Sequence, residues 1–353
     1  MNKQISLTPG KLWSMRRLAN DKGHFKMLAV DQRPPIKAPI AAHHKGEAPW
    51  GEVGKFKASL ISALQGETTA VLLDPHFAVP AAMDITHPHK GLIITLEDSN
   101  FQTDQASQGR SSSQIDDWDV GKIKRMGGDA VKVLTWYHPN APAKISQHQQ
   151  DYTKRIGEAC AHFDIPFLLE MLAYPLAGDK DQTRDYVEMK QKNADIVLET
   201  VHEFAKDDYM VDIFKLESPL NAADIPSFDS PDAASCQALF DEMGKLAGRP
   251  WVMLSAGASQ QQFTTIMRYA YQAGASGFLA GRAIWQEAFK AYPDWTKIEQ
   301  GLTDNALPYL KTLNALTDQS ASNWQAHPCY GADGDGARFS PKGAEFRHHY
   351  PSL

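Results

Sequence analysis

The sequence predicts an α/β protein, a single-domain (β/α)8 TIM barrel over residues 1–320 followed by an irregular C-terminal extension over residues 321–353. Three observations predict it. Eight short apolar runs recur along the chain, and longer amphipathic stretches fill most of the gaps, the pattern of a parallel sheet covered on both faces. The 353 residues are long for one average domain but suit one elaborated barrel. No Gly-x-Gly-x-x-Gly follows the first run, so a doubly wound sheet of the dinucleotide-binding kind has little support.

In chain order, Met27-Leu28-Ala29-Val30 closes on Asp31 and reads as the first strand, at 27–31. A helical pattern at 55–65 leads to the second strand, at 70–74. The third, at 92–96, precedes a polar stretch around 99–114, rich in serine and glutamine, which reads as a long loop and a candidate mobile lid. The fourth and fifth, at 130–135 and 165–170, flank an amphipathic helix at 147–162. A helix at 184–204 leads to the sixth strand, at 212–217, which stops before Pro219. Helices at 233–247 and 260–272, the second capped by Ser259, frame the seventh strand at 251–255 and lead to the eighth at 277–280. In the extension, Gly331-Ala332-Asp333-Gly334-Asp335-Gly336 lacks the acidic spacing and closing glutamate of an EF-hand and reads as turns.

Composition narrows the partners. A hydrophobic content of 42% against 22% charged residues can fill a full core. The net charge of −6, with no strongly basic segment, argues against nucleic acid. Cys160, Cys236 and Cys329 are far apart, form no Cys-x-x-Cys and predict reduced thiols in a cytoplasmic protein, neither a disulfide framework nor a zinc site. No stretch nears the roughly 20 apolar residues of a membrane helix, and the first residues lack the apolar run of a secretory signal.

Barrels carry their chemistry at the C-terminal ends of their strands. There the sequence places Asp31, Gln32 and Arg33, then Asp74, Glu97, Lys132, Glu170, Lys215 with Glu217, Ser255 to Gly257, and Gly281 with Arg282. Lys215 is the most informative, because a lysine in a buried strand must be paired or give up its proton. A deprotonated lysine attacks carbonyls and forms Schiff bases. The structural alternative is a solvent-facing edge lysine, or an ion pair with Glu217, which alternation puts on the same face. Lys132 is a second cation whose nearness would favour the free amine of Lys215; its alternative is a salt bridge to Glu217 or Asp31. Glu170 closes a buried run, where a carboxyl tends to a raised pKa suited to acid–base work, or it simply pairs with a lysine. Asp31 suits a sugar hydroxyl or the orientation of a lysine, and otherwise caps the next turn. Ser255-Ala256-Gly257 and Gly281-Arg282 both lead into helices. Their backbone N–H groups and the Arg282 guanidinium predict a phosphate site, against a reading as ordinary tight turns. The histidines show no paired metal-ligand spacing on a helix; His76, near the second strand end, is a candidate substrate contact.

Six motifs in order now carry a resemblance. They are Leu28-Ala29-Val30-Asp31-Gln32-Arg33, Val131-Lys132-Val133-Leu134, Leu169-Glu170, Phe214-Lys215-Leu216-Glu217-Ser218-Pro219, Leu254-Ser255-Ala256-Gly257 and Ala280-Gly281-Arg282-Ala283-Ile284-Trp285. Over about residues 10 to 320 the chain resembles class I tagatose-1,6-bisphosphate aldolase, with sulfofructosephosphate aldolase as a close relative. The resemblance implies a barrel that reversibly cleaves a ketose phosphate to dihydroxyacetone phosphate and a three-carbon aldehyde, with no metal and no other cofactor. By motif, Lys215 matches the Schiff-base lysine, Glu170 the proton-shuttling carboxylate, and Asp31 and Lys132 its neighbours. Gln32, Ser255, Gly257, Gly281 and Arg282 fall where substrate or its phosphate is held. Two departures concern the distal half of the substrate: Pro34-Pro35 replaces the family's usual glycine after Asp-Gln-Arg and is expected to lock a turn, and the tail beyond about residue 330 has no counterpart. The expected partner is a small sugar phosphate; a homo-oligomer is allowed, with no residue pattern that specifies it. A non-catalytic sugar-phosphate sensor on the same barrel would need Ser255, Gly257 and Arg282 but not Lys132, Lys215 and Glu170 together. A metal-dependent aldolase or isomerase predicts a histidine–carboxylate cluster that the sequence does not display.

Overall fold

The computed structural model describes residues 5–178, 194–331, 336–344 and 346–350. Among these, eight parallel strands close into a barrel in sequential order, the eighth pairing with the first. They are β1 (Phe25–Ala29), β2 (Ala70–Leu73), β3 (Gly91–Thr95), β4 (Ala130–Trp136), β5 (Phe167–Leu172), β6 (Ile213–Leu216), β7 (Trp251–Met253) and β8 (Gly277–Ala280). All eight expected strands are present, with ends displaced by at most two residues. The outer ring is α2 (Pro34–His44), α3 (Trp50–Leu64), α4 (Val120–Arg125), α5 (Ala143–His162), α6 (Ala194–Phe204), α7 (Ala233–Ala247), α8 (Gln260–Gln272), α9 (Arg282–Phe289), α10 (Trp295–Gly301) and α11 (Leu307–Ser320). A further helix, α1 (Pro9–Leu18), precedes the barrel. The part of the helix expected at 184–193 lies outside the described residues, as does most of the glycine- and aspartate-rich run near 332–335.

Alternation along the strands builds the layers. Outward residues such as Leu28, Val71, Val131, Leu169, Phe214 and Phe278 join the helices in the main core. Inward residues Phe25, Met27, Ala70, Leu72, Ile93, Ala130, Leu168, Ile213, Val252 and Leu279 fill the lower lumen. Met15 and Leu18 of α1, with Trp324 and Tyr330 of the C-terminal extension, close that end. The described part of the extension that carries Trp324 and Tyr330 thus packs under the barrel.

Three expectations change. Pro34-Pro35 does not lock a free turn; Pro34 opens α2, where its missing N–H would have had no intrahelical partner anyway. The stretch at 99–114 is not a bare loop. It folds into a short antiparallel hairpin, Gln102–Thr103 with Arg110–Ser111, and docks on the barrel. Helices α1, α2, α4, α10 and α11 were not foreseen. Proline sits in the first turn of α1 and α11, where it mimics a break in the sequence pattern. Ser259 does cap α8, in a reciprocal pair with Gln262. No helix among the described residues is long and apolar enough to cross a membrane.

Candidate active site

Above the apolar lower layer, the next inward residues of β4, β5 and β6 are Lys132, Glu170 and Lys215, all 5% exposed or less. Register brings them together: Glu170 pairs with Lys215 across β5 and β6, and with Leu134 across β4 and β5. Lys215 Nζ lies 2.9 Å from Glu170 Oε2, and Lys132 Nζ lies 2.8 Å from the same oxygen. Lys132 Nζ is also 2.9 Å from Asp31 Oδ2 and 2.6 Å from Glu97 Oε1. One ammonium therefore faces three buried carboxyls. Mutual pairing is what makes so much charge tolerable away from water.

The electrostatics reverse one expectation. Burial pushes the Glu170 carboxyl up, but Lys132 and Lys215 together outweigh it and leave the group below the usual glutamate value. The expected raised pKa at Glu170 is thus overturned by two cations on neighbouring strands. Asp31 is likewise held low: burial raises it, and Lys132 and Lys215 more than compensate. Glu97 goes the other way, because burial exceeds the pull of Lys132 and Arg33. Lys215 pairs with Glu170 instead of Glu217, whose Oε1 accepts the Ala173 N–H at 2.7 Å.

Supporting residues fix the loop after β1. Arg33, 4% exposed, donates through Nη1 and Nη2 to the Glu97 carbonyl oxygen, each at 3.1 Å. Thr95 donates to Asp31 Oδ2 at 3.2 Å. Lys57 of α3, fully buried, donates to the carbonyls of Val30 and Gln32 at 2.5 and 2.7 Å and pairs with Asp74 at 2.6 Å. It brackets Asp31 from both sides. Burial lowers the Lys57 pKa, and Asp74 opposes the shift.

Asp31, Gln32, Glu170, Lys215, Ser255, Gly281 and Arg282 line one cavity at the C-terminal mouth, with Ala256 at its rim. Eight of the nine residues singled out in sequence are therefore in or directly behind this cavity, Lys132 being the one behind. The ninth, Gly257, is exposed and does not line it. The turn that carries it is unusual all the same. Ala256 and Gly257 are both left-handed, at φ 48° and 73°, before Ser259 opens α8. A non-glycine residue in that region stores strain, which a scaffold retains where backbone orientation matters. At Gly281 a Cβ would stand 2.6 Å from the Ala29 carbonyl oxygen and 2.8 Å from Gln32 Nε2, so a glycine is required where α9 begins. His76 is not a cavity residue; its carbonyl accepts the Trp50 indole N–H at 2.8 Å.

An apolar roof covers the charged layer: Leu134, Trp136, Leu172, Tyr174 and Leu254. Arg110 from the hairpin is inserted there, its guanidinium 4.4 Å from the Phe101 ring centre, 4.5 Å from Trp136 and 5.1 Å from Tyr174. Burial lowers its pKa to about 10, so it stays charged. Sequence reasoning gave no role to Glu97, Arg33, Lys57 or Arg110. Glu97 and Arg33 were visible as strand-end groups; Lys57 and Arg110 gave no local signal. Among the described residues, no three histidine, cysteine, aspartate or glutamate side chains gather as a metal would require.

A parallel barrel with paired lysines and carboxyls at its C-terminal mouth defines a lyase of the aldolase class. Comparison places it further: residues 25–287 match the DeoC/LacD family aldolases, and the chain belongs to that family. The tagatose 1,6-diphosphate aldolase of Listeria monocytogenes is 31% identical over 328 residues, covering 91% of this chain and 95% of that protein. Tagatose 1,6-diphosphate aldolase 2 of Enterococcus faecalis is 30% identical over 336 residues, covering 91% and 98%. Among solved structures, a Schiff base forming fructose-1,6-bisphosphate aldolase superposes with a TM-score of 0.53 at 16% identity, over 87% of this chain and 99% of that one. The fructose-bisphosphate aldolase of Plasmodium falciparum gives 0.62 at 12% identity, over 91% and 99%. At such identities the structural likeness concerns the fold.

Proposed function

We propose that the protein is a class I aldolase that uses Lys215 as its Schiff-base amine. Its substrate would be a ketose phosphate of the tagatose 1,6-bisphosphate or sulfofructose 1-phosphate kind, cleaved reversibly to dihydroxyacetone phosphate and a three-carbon aldehyde. The observation that carries this reading is the contact between Lys215 Nζ and Glu170 Oε2, inside a cavity that also holds Ser255, Gly281 and Arg282. An amine that can lose its proton to an adjacent carboxylate is a competent nucleophile.

In this reading Lys215 attacks the substrate ketone, and loss of water leaves an iminium that accepts electrons. Removal of the proton from the C4 hydroxyl then breaks the C3–C4 bond, the aldehyde departs, and an enamine of dihydroxyacetone phosphate remains. Glu170 is the shuttle: it takes the Lys215 proton, gives it to the departing hydroxyl, takes the C4 hydroxyl proton as the C3–C4 bond breaks, and later gives that proton to C3 of the enamine. Asp31, kept ionised by the lysines, holds Lys132 and offers its carboxylate to substrate hydroxyls beside Gln32. Lys132 keeps Glu170 anionic until the transfer. Ser255, the Gly257 turn, Gly281 and Arg282 take the phosphate, as N–H groups at helix starts and an arginine do for anions. The free state of Cys160, Cys236 and Cys329 agrees with a reducing compartment such as the cytoplasm. No observation favours the sensor alternative.

The test is borohydride reduction in the presence of dihydroxyacetone phosphate, read by intact and peptide mass spectrometry. A reduced adduct on the peptide carrying Lys215 is expected. Binding of dihydroxyacetone phosphate without any adduct would remove the Schiff-base reading.

A further inference from the structure

Glu97 stands at the far end of the buried charge network from Lys215, and no step above uses it. Its Oε1 is 2.6 Å from Lys132 Nζ, which is 2.8 Å from Glu170 Oε2, which is 2.9 Å from Lys215 Nζ. Proton-bearing atoms thus run in an unbroken line from the amine to Glu97. The other Glu97 oxygen, Oε2, is buried and has no hydrogen-bond partner among the described residues. Such an oxygen is costly while the group is ionised and less so once it carries a proton. The groups facing Glu97 are Lys132 from β4, Asp31 and Arg33 from the turn after β1, and the buried phenol of Tyr152 from α5, which Asp98 also faces.

Charge balance gives Glu97 a purpose. Lys132, Lys215 and Arg33 offset Asp31, Glu97 and Glu170 while all six are ionised. Once Lys215 becomes a neutral amine, one negative charge is left over in a site with little water. Asp31 and Glu170 are poor places for the missing proton, because the lysines hold both below their ordinary range. Glu97 is the member of the set that burial shifts upward.

We propose that Glu97 stores the proton Lys215 releases on becoming a nucleophile, and returns it when the carbinolamine loses water. The inference rests on the Schiff-base reading of Lys215. The Lys215 ammonium passes one proton to Glu170; Glu170 passes one to Lys132 as Lys132 passes one to Glu97. Glu170 and Lys132 end as they began, Lys215 is neutral and Glu97 is protonated. After the amine has added to the ketone, the reverse passage delivers one proton to the carbinolamine hydroxyl, which leaves as water. Amine protons and water then balance without exchange with solvent. Glu97 touches no reacting atom, so it is a positioning residue for the proton.

Two measurements on the full-length protein test this. The first follows borohydride trapping of dihydroxyacetone phosphate on Lys215 from acid to alkaline pH. Glu97→Gln permanently removes the charge at this position, which should move the trapping midpoint down by about one unit, while Glu97→Asp restores a titrating group and the wild-type midpoint. A residue whose charge is not linked to Lys215 would change the amount of adduct without moving the midpoint, and the second measurement separates a stored proton from a fixed charge. The second is infrared spectroscopy of Lys215→Met, which imitates the neutral amine. A carboxylic acid band is expected at neutral pH that shifts on 13C-glutamate labelling, persists with Glu170→Gln and disappears with Glu97→Gln. An unmoved midpoint with adduct still forming, or a band that survives Glu97→Gln, overturns the proposal. Should Glu97→Gln fail to fold, labelling of Lys215→Met decides alone, and absence of a glutamate band overturns it. A wild-type protein that forms no adduct overturns the Schiff-base reading itself, which distinguishes the two failures.

Discussion

Lys132→Met removes the cation that three buried carboxyls share, and replaces it with a side chain of similar length and no charge. Asp31, Glu97 and Glu170 would remain, with Lys215 in contact with Glu170 and Arg33 at 3.8 Å from Glu97 Oε1. Removing one partner of a buried ion pair costs about 3–5 kcal/mol. The pH dependence can be worked through separately. In the wild type, Asp31 and Glu170 titrate below their ordinary values, because Lys132 and Lys215 outweigh burial. Their pairing therefore stabilises the fold above the unfolded pKa of about 4 and is lost as pH falls through the depressed folded values. Without Lys132, burial is the largest influence on each and the folded values rise. A carboxyl raised above its unfolded value destabilises the fold as pH climbs past that unfolded value. The deficit of the variant should thus be largest near about pH 8, smaller near about pH 5, and should close only as pH falls further, through the depressed folded values of Asp31 and Glu170. Urea titrations followed by circular dichroism at these pH values, compared through midpoints at equal slope, measure it. A deficit below about 1 kcal/mol at alkaline pH, or one that does not vary with pH, would refute the reasoning.

Lys215→Met should give no borohydride adduct, and release of dihydroxyacetone phosphate should fall by at least about 10⁴-fold. Arg282→Gln should raise KM about 10- to 150-fold, the equivalent of a lost charged hydrogen bond of about 1.5–3 kcal/mol, with a smaller change in kcat. Gly281→Ala puts a methyl against Ala29 O and Gln32 Nε2, so steady-state assays should show a raised KM and urea titrations a loss of about 1–3 kcal/mol. Ser259→Ala removes the hydroxyl that accepts the Gln262 N–H, while the backbone N–H to Gln262 Oε1 remains, and should cost about 1 kcal/mol, read as a lower denaturation midpoint.

The strands were legible because burial on both faces makes them near-continuous apolar runs, and α7 and α8 were legible because one face of each is plainly apolar. Elements that begin with proline were not, since the residue that starts α11 well also reads as a break. Nor was the docked hairpin. Its anchor, Arg110, looks like any polar loop residue until Phe101, Trp136 and Tyr174 close around it, and the last two come from the ends of other strands. Likewise Lys57 reads as a charged position on a helix, yet it lies 0% exposed because Asp74 and two backbone carbonyls receive it.

The site shows the same limit in its chemistry. Lys132, Glu170 and Lys215 stood out in sequence because a charge within an apolar strand is costly, and that cost depends on the strand alone. The direction in which each titrates depends on its neighbours across the sheet. Read by itself, Glu170 is a carboxyl in apolar surroundings and should hold a proton. In the closed barrel it lies beside two ammonium groups and gives the proton up, whereas Glu97, two contacts further from Lys215, is the carboxyl that burial favours in its protonated form. The pairing of Glu170 with Lys215 exists only once β5 and β6 are in register, so no inspection of either strand discloses it. Local sequence identifies which groups must be accounted for; strand register decides which of them is the acid.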